Sequence, residues 1–327
     1  MVLKSIVMLT IYITPLVLLA CGVFTNIWAI IGLYILSGLG MAGIGMGIMH
    51  DANHGAYSKN YRLNTFFAST LDFLGCSSAM WKLQHNVLHH TYTNIHGHDE
   101  DINTPVSLLK FSPHKENNII HRYQHLYVWA FYSILTLYWV TAKDFVKAIN
   151  YRKKGLIRTD GELRVAIFKI ALLKLFYFSY ALILPIIFTD VAAYWLVLGF
   201  VIKHLIAGTL LSVVFQLAHV MPKMEFPQPE NEVEIPNNWH IHQLMTTSNF
   251  STKNPVQFWL FGGLTHQIEH HLFPNICHVH YKNLSRLVKQ TALEYNIPYY
   301  ENKNLIIALK GHIETLKKFG IQGEHAH

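Results

Sequence analysis

The chain has 327 residues, of which 51% are apolar and only 14% are charged, and its formal net charge is +7. Soluble domains carry about 25% charged residues, so an ordinary soluble fold is excluded. The positive net charge is explained by basic loops that set membrane orientation and contact anionic headgroups. We therefore expect no nucleic-acid partner. The three cysteines have no paired spacing, which argues against disulfides or a thiolate zinc site.

The apolar residues are gathered into blocks. Four blocks reach the ~20 residues that cross a bilayer: 3–24, 27–49, 165–188 and 191–217. Two shorter stretches, 65–80 and 126–140, are expected to form interfacial or buried helices. The sequence therefore predicts an all-α integral membrane protein with four transmembrane helices.

Lysine and arginine give the orientation. Residues 55–164 contain 13 of them and the tail after His219 contains 9, whereas the turns near Thr25 and Asp190 contain none. The positive-inside rule then predicts two helical hairpins with the N-terminus, the long connection and the tail in the cytoplasm. We expect one domain over residues 1–327, with a cytoplasmic helical cap made of 50–164 and 218–327. Such a chain is multi-pass, in a bacterial inner membrane or an equivalent endomembrane.

Histidines cluster beside the apolar blocks. His50 and His54 are four residues apart, as are His85 and His89, and this spacing puts two imidazoles on one helix face. The other candidates are His90, His219, Gln267, His270 and His271. Eight imidazoles and one amide suit two metal ions better than one, and imidazole alone leaves zinc, copper, iron and nickel open. All clusters fall on the predicted cytoplasmic side.

Carboxylates beside these clusters are predicted to accept hydrogen bonds from imidazole N–H groups and so fix their tautomers. They are Asp51, Asp99, Asp101 and Glu269.

Further histidines lie outside the clusters. We expect ordinary surface or packing roles for His96, His98, His114, His121, His125, His240 and His242, a structural role for His266, and peripheral positions for His278 and His280. Lys203 and His204, inside the fourth apolar block, could snorkel, face the bundle or approach a substrate path.

Near the end of the chain, the spacing of apolar residues from Tyr281 to Tyr295 predicts an amphipathic helix on the cap or the headgroups.

Three motifs then resemble the histidine boxes of the membrane fatty acid desaturases: His50-x-x-x-His54, His85-x-x-x-His89-His90 and Gln267-x-x-His270-His271. Glutamine at the start of the third box is similar to the front-end subgroup, as are the segment ending in Asn94 and the acidic Asp99-Glu100-Asp101. The resemblance runs from about residue 45 to about residue 300.

This resemblance implies O2-dependent desaturation of a fatty-acyl chain at a non-haem centre of two iron ions. The implied iron ligands are His50, His54, His85, His89, His90, His219, His270 and His271, with Gln267 ligating directly or through water. Asp51, Asn94, Asp99, Asp101 and Glu269 would support them. The acyl group could arrive on coenzyme A, a lipid or an acyl carrier protein. No His-Pro-Gly-Gly signature of a fused cytochrome domain occurs, so a separate ferredoxin or cytochrome is the expected electron donor.

Two alternatives remain open from the sequence. A di-iron hydroxylase could use the same oxidant and insert oxygen. A histidine-rich metal transporter would need its ligands along a pathway inside the spans, whereas most of these clusters lie outside them.

Overall fold

The structure is a computed structural model that describes residues 1–103, 107–228 and 238–321. It is predominantly helical. In chain order the helices are α1 (Val2–Ala20), α2 (Ile27–Gly43), α3 (Met49–Asn53), α4 (Tyr61–Ala68), α5 (Thr70–Phe73), α6 (Ser78–Trp81), α7 (His90–Tyr92), α8 (Gln124–Tyr138), α9 (Asp144–Lys153), α10 (Asp160–Phe178), α11 (Leu184–Phe188), α12 (Ala193–His219), α13 (Trp239–Thr246), α14 (Pro255–Leu260), α15 (Gln267–Leu272), α16 (Tyr281–Glu294) and α17 (Leu305–Ile321).

Short segments of other geometry join several of these helices. π-Helical turns occupy Ile44–Ile48, Lys82–His89, Trp139–Lys143 and Ser179–Ile183, and 3-10 turns occupy Ile119–Tyr123 and His278–His280. Strands β1 (Asn249–Phe250) and β2 (Glu301–Asn302) pair in parallel.

The chain divides into two compact units. The first contains residues 1–53, 57–81 and 131–212; the second contains residues 54–56, 82–130 and the described part of 213–327.

Among the described residues, four helical segments are long and apolar enough to cross a membrane: Val2–Ala20, Ile27–Asn53, Asp160–Phe188 and Ala193–His219. The predicted number of membrane-length apolar helices and their approximate positions are confirmed. The third segment starts five residues earlier than its apolar block, because the Thr159 side chain caps the helix by accepting a hydrogen bond from the Glu162 amide. The second runs on to Asn53 through the π turn, so His50 lies inside the helical segment.

Small residues let the helices of the first unit approach closely. A Cβ atom on Gly40 of α2 would lie 2.6 Å from the Tyr12 backbone nitrogen of α1. The Ser37 hydroxyl donates to the Tyr12 carbonyl oxygen at 3.2 Å. On α12, a Cβ on Gly199 would lie 2.2 Å from the Tyr34 ring. Without a hydrophobic driving force between helices in lipid, such close backbone packing is a main source of association.

In the second unit, short helices and loops return the late part of the chain to the segment that follows α12. The Ser248 amide donates to the Ala218 carbonyl oxygen at 2.8 Å, next to the end of α12. The β1–β2 pair joins Asn249 to Glu301. These contacts bring α13, α15 and the end of α12 together in one unit.

Candidate metal centre

The second unit gathers seven of the eight candidate histidines. The π-helical turn Lys82–His89 carries His85 and His89, and the segment continues into α7 with His90. His219 ends α12, and α15 carries His270 and His271. These six imidazoles and His54 are buried. π-Helical turns are often found at functional sites, and this one replaces the α-helical geometry that the four-residue spacing predicted for His85 and His89.

Three imidazoles form what we call the first imidazole group: His89, His219 and His271. One ring nitrogen from each lies within 4.8 Å of the others. Their ring centroids are 4.7 Å (His89–His219), 5.0 Å (His89–His271) and 4.7 Å (His219–His271) apart.

The second imidazole group contains His54, His85 and His270. Their ring centroids are separated by 5.2 Å (His54–His85), 4.9 Å (His54–His270) and 5.8 Å (His85–His270).

His90 lies between the two groups. Its Nε2 atom is 3.0 Å from Nε2 of His270 and 3.3 Å from Nε2 of His85. Its ring is also 4.5 Å from that of His271 in the first group. His90, His270 and His271 form another set whose ring nitrogens lie within 4.8 Å of one another. The arrangement is therefore one continuous imidazole cluster with two ends.

Hydrogen bonds on the outer nitrogens of the first group set the direction of the inner ones. His89 Nδ1 lies 2.9 Å from Asp99 Oδ1, His219 Nδ1 lies 3.2 Å from the Thr246 carbonyl oxygen, and His271 Nδ1 lies 2.8 Å from Gln243 Oε1. Each Nδ1–H therefore donates outward, which points the Nε2 atom inward. Within the described residues, Nε2 of His219 and Nε2 of His271 have no hydrogen-bond partner despite being buried. Buried imidazole lone pairs held in this way are what a metal ion requires.

A similar arrangement supports the second group. His85 Nδ1 lies 3.1 Å from Asp101 Oδ2, and the Gln84 amide donates to Asp101 Oδ1 at 2.5 Å. His270 Nδ1 lies 3.2 Å from the Tyr281 hydroxyl oxygen.

The local field favours positive charge at His89. Burial alone would lower the pKa of this imidazole, but the carboxylates of Asp99 and Asp101 together raise it to about 9. The same pairing holds the pKa of Asp101 well below its usual range, against the effect of burial. By contrast, burial and the neighbouring imidazoles keep the pKa of His90 and of His271 well below the ordinary histidine value. His90 and His271 are thus held as neutral donors, and the carboxylates beside His89 favour a positive charge at this end of the cluster, which suits a metal cation.

Asn94 ties this support together. Its backbone φ is +61°, a left-handed conformation that asparagine tolerates better than most residues. Its backbone N–H donates to Asp99 Oδ2 at 2.8 Å, and its side-chain amide donates to the carbonyl oxygens of His219 at 3.1 Å and Thr246 at 3.3 Å. Asn94 therefore connects the acidic motif to the end of α12.

Glu269 has partners other than the imidazole expected from the sequence. Its carboxylate accepts hydrogen bonds from the Asn249 amide at 2.8 Å and the Tyr299 hydroxyl at 2.9 Å. Successive residues of a helix point about 100° apart, so Glu269 leaves α15 on a different side from its histidine neighbours. Burial raises its pKa to about 7. Glu269 anchors α15 to β1 and to the segment before β2.

His50 and Asp51 belong to the first unit. Both are buried, and His50 Nδ1 lies 3.9 Å from Asp51 Oδ1, which is too far for a hydrogen bond. The His50 ring meets Trp81 edge-on, with centroids 5.7 Å apart.

In the second unit, Gln267 is the first residue of α15. Its side chain is 1% exposed, and its Nε2 atom has no hydrogen-bond partner among the described residues.

Several other histidines are packing residues. His121 donates from Nε2 to the Ser107 carbonyl oxygen at 2.6 Å, and His266 pairs with the Thr265 hydroxyl at 2.9 Å. Burial lowers the pKa of His242 and of His266 to about 4. In the first unit, His204 Nε2 lies 2.7 Å from the Tyr177 hydroxyl. Lys203 is fully buried with its ammonium 4.9 Å from the Tyr177 ring, so it faces the bundle.

Sequence reasoning missed Gln243, which joins the second and third boxes. Gln243 Oε1 accepts from His271 Nδ1, and its Nε2 donates to the His90 carbonyl oxygen at 3.0 Å. It also lies 3.0 Å from the Thr93 hydroxyl. The only signal in the sequence is a polar residue in the apolar part of a short helix, which does not identify its partners. Asn249, Tyr281 and Tyr299 were also missed, because spacing along the chain does not reveal their contacts with Glu269 and His270.

Comparisons with known proteins agree with this site. Residues 26–303 match the family described as fatty acid desaturase. The chain is 37% identical to the sn-1 linoleoyl-lipid 6-desaturase of Arthrospira platensis, over 89% of this chain and 78% of the relative. It is 34% identical to the enzyme of the same name from Synechocystis sp., over 89% of this chain and 80% of the relative. An acyl-lipid (8-3)-desaturase of Physcomitrium patens is 34% identical over 86% of this chain and 58% of its own length.

The match covers most of the chain and includes every histidine box. An integral-membrane character agrees with the four apolar segments, and the imidazole cluster fits a metal site. The chain belongs to the fatty acid desaturase family and is a fatty acyl desaturase, an oxidoreductase.

Proposed function

We propose that this chain introduces a cis double bond into a fatty-acyl chain, with O2 as co-substrate and two iron ions as the cofactor. The main observation in support of this proposal is the pair of imidazole groups with His90 between them. We assign the iron-binding roles to His50, His54, His85, His89, His90, His219, His270 and His271, with Gln267 as a direct or water-mediated ligand. Asp51, Asn94, Asp99, Asp101 and Glu269 would support this set, with Gln243 added by its contact with His271.

The stoichiometry requires an external reductant. Reduction of O2 to two waters takes four electrons and four protons, and removing two hydrogens from adjacent carbons supplies two of each. A carrier must therefore deliver two electrons, and two further protons come from solvent. Bound iron would supply the oxidising power that no side chain has toward an unactivated methylene. We propose a separate ferredoxin or cytochrome as the donor.

The residues of the chain would hold the reactants in place. The carboxylates of Asp99 and Asp101 and the Gln243 amide fix the imidazole tautomers before any metal binds.

In the first unit, an apolar cavity is lined by Met41, Gly45, Met49, Leu71, Leu74, Cys76, Thr136, Trp139 and Leu211. We propose that it receives part of the acyl chain and that its length selects the carbon that reacts.

The names of the relatives suggest the first substrate to test. Two of them act on an sn-1 linoleoyl lipid at position 6. We propose the same class for this chain, an acyl group esterified to a lipid, in preference to coenzyme A or an acyl carrier protein.

We also propose two membrane hairpins, one desaturase domain over residues 1–327 and a cytoplasmic metal site in a bacterial inner membrane or an equivalent endomembrane. The proposed orientation is supported by the distribution of lysine and arginine between the loops.

Product analysis tests the reaction. A host that lacks polyunsaturated acids would express the chain and its His270→Ala variant, with linoleate supplied, in air and without oxygen. We expect a new double bond that requires both His270 and O2, located by mass spectrometry of derivatised fatty acids. A hydroxylated product would replace the proposal with a hydroxylase. Metal uptake with no change in fatty acids would favour a transporter.

A further inference from the structure

Helix α16 connects the metal-site region to the protein surface. It packs against α15, which carries His270 and His271. Its first residue, Tyr281, is 1% exposed, and the Tyr281 hydroxyl oxygen lies 3.2 Å from His270 Nδ1. The residue after it, Lys282, is exposed. One step along the chain therefore leads from an imidazole contact to solvent.

The exposed side of α16 carries a row of positive charge. Lys282, Arg286 and Lys289 are spaced four and three residues apart, which places them along one side of the helix. All three are exposed. In the part of the chain that the structure describes, Lys282 and Arg286 form no ion pair, whereas Lys289 lies 3.0 Å from Glu301 Oε2. At least two positive charges are thus available to a partner.

The distribution of apolar residues on α16 favours a protein partner over a lipid surface. Ala292 is buried and Leu284 and Val288 are half-buried, so the apolar face of the helix points inward. A helix embedded in headgroups would present an apolar stripe outward. Only Leu287 and Leu293 are exposed, and they lie on opposite flanks of the outer face. A mainly polar face with isolated apolar residues suits a transient protein interface, which is more polar than an obligate one.

We propose that the basic row Lys282, Arg286 and Lys289 of α16 is the docking surface for an acidic one-electron carrier protein. The inference rests on the proposed function, because that reaction consumes two external electrons. Charge complementarity would steer the carrier to this face and speed association. A carrier bound there sits over Tyr281, whose hydroxyl contacts His270. The electrons enter beside the second imidazole group.

Charge reversal on α16 tests the surface. The Lys282→Glu/Arg286→Glu variant of the full chain in lipid nanodiscs would be compared with Lys317→Glu/Lys318→Glu, a matched change of two exposed lysines on α17. Binding of two probes, an acidic [2Fe–2S] ferredoxin and the acidic soluble domain of a cytochrome b5, would be measured on metal-stripped protein across a salt series. We expect at least one probe to bind the wild type and the α16 variant to bind it about tenfold more weakly, with a shallower salt dependence. The α17 variant should keep wild-type affinity.

A single turnover with dithionite in place of the carrier separates this inference from the proposed function. The α16 variant, reduced with stoichiometric dithionite without oxygen and then exposed to O2, should form as much product as the wild type, whereas steady-state turnover should show a raised KM for the carrier. Equal carrier binding by both variants and the wild type, or no binding of either probe, would overturn the docking surface. Weaker binding of the α16 variant to anionic vesicles, with carrier binding unchanged, would assign the row to lipid instead. If the wild type formed no product with dithionite, the proposed function would fail, while the binding comparison would still decide the docking surface.

Discussion

At the scale of single residues, a metal-site histidine combines an acceptor on its outer ring nitrogen with neighbouring imidazoles around its inner one. His89 and His271 each present Nδ1 to an acceptor and Nε2 to the cluster. His266 is equally buried, but its Nδ1 pairs with the neighbouring Thr265 hydroxyl. The spacing of the boxes predicts which histidines cluster. It does not predict Gln243, because that contact joins residues 28 positions apart in sequence.

Replacing Gln243 by leucine should weaken metal binding. The change removes the acceptor that orients His271 and the donor to the His90 carbonyl oxygen, and loss of such support typically costs about 10–100-fold in metal affinity. Metal content after dialysis against a graded chelator would measure it. The exposed Gln290→Leu variant is the control. Equal retention of metal by both variants would show that Gln243 does not position His271.

His312 should make stability depend on pH. It is 1% exposed, its Nδ1–H donates to the Val220 carbonyl oxygen at 2.8 Å, and burial lowers its pKa to about 4. An unfolded histidine titrates near 6.5. Between these values the unfolded chain binds a proton that the folded chain does not, so the free energy of unfolding should fall as pH drops from about 6.5 to about 4. The total loss is about 3 kcal/mol.

The pH dependence of unfolding would be compared between wild type, the His312→Gln variant and, as a control, the His240→Gln variant, in which an exposed histidine is replaced. Thermal unfolding of detergent-solubilised protein at several pH values would show a smaller loss of Tm on acidification for His312→Gln than for wild type. A pH profile parallel to that of wild type would mean that His312 does not titrate in this window.

At the scale of elements, length and hydropathy were sufficient to predict the four membrane-length helices. Their ends were less predictable, because a cap such as Thr159 acts through its side chain and not through hydropathy. The π-helical turn Lys82–His89 was not predictable either. Its residues make long-range contacts, such as His89 with His219, that spacing along the chain does not reveal.

Gly40 should be required for the packing of α1 on α2. A methyl group there would lie 2.6 Å from the Tyr12 backbone nitrogen, and backbone cannot move aside as a flexible side chain does. Gly40→Ala should therefore lower the free energy of unfolding by roughly 1–3 kcal/mol, the usual cost of overpacking. Gly32→Ala, on the same helix with no atom within 4 Å of the added methyl group, should be neutral or slightly stabilising. Thermal unfolding in detergent measures both, and equal effects would refute close packing at Gly40.

At the scale of the whole molecule, the sequence predicted a membrane protein with a histidine-rich metal site, and the structure and the family match agree. The cavity of the first unit could not be predicted, because its lining comes from four separated stretches of the chain. The predicted topology also explains why the charged residues are concentrated outside the spans.

The cavity should act as a ruler for the acyl chain. Leu211 lines it and would lie 3.1 Å from a methyl group on Gly45. Leu211→Ala should enlarge the space and shift the preference toward longer chains, by roughly tenfold in relative kcat/KM. Leu210→Ala, a neighbour on α12 outside the lining, is the control. Competition between substrates of different length measures the shift, and an unchanged preference in both variants would exclude this cavity from the acyl path.

The central claim is that one chain holds two iron ions through its imidazole cluster. Iron and zinc quantified by mass spectrometry on protein purified in nanodiscs, together with Mössbauer spectroscopy, test it most directly. We expect about two iron ions per wild-type chain, fewer in His219→Ala and in His271→Ala, and about two in His240→Ala. Zinc in place of iron, a single iron ion, or full iron retention in the first two variants would contradict the account.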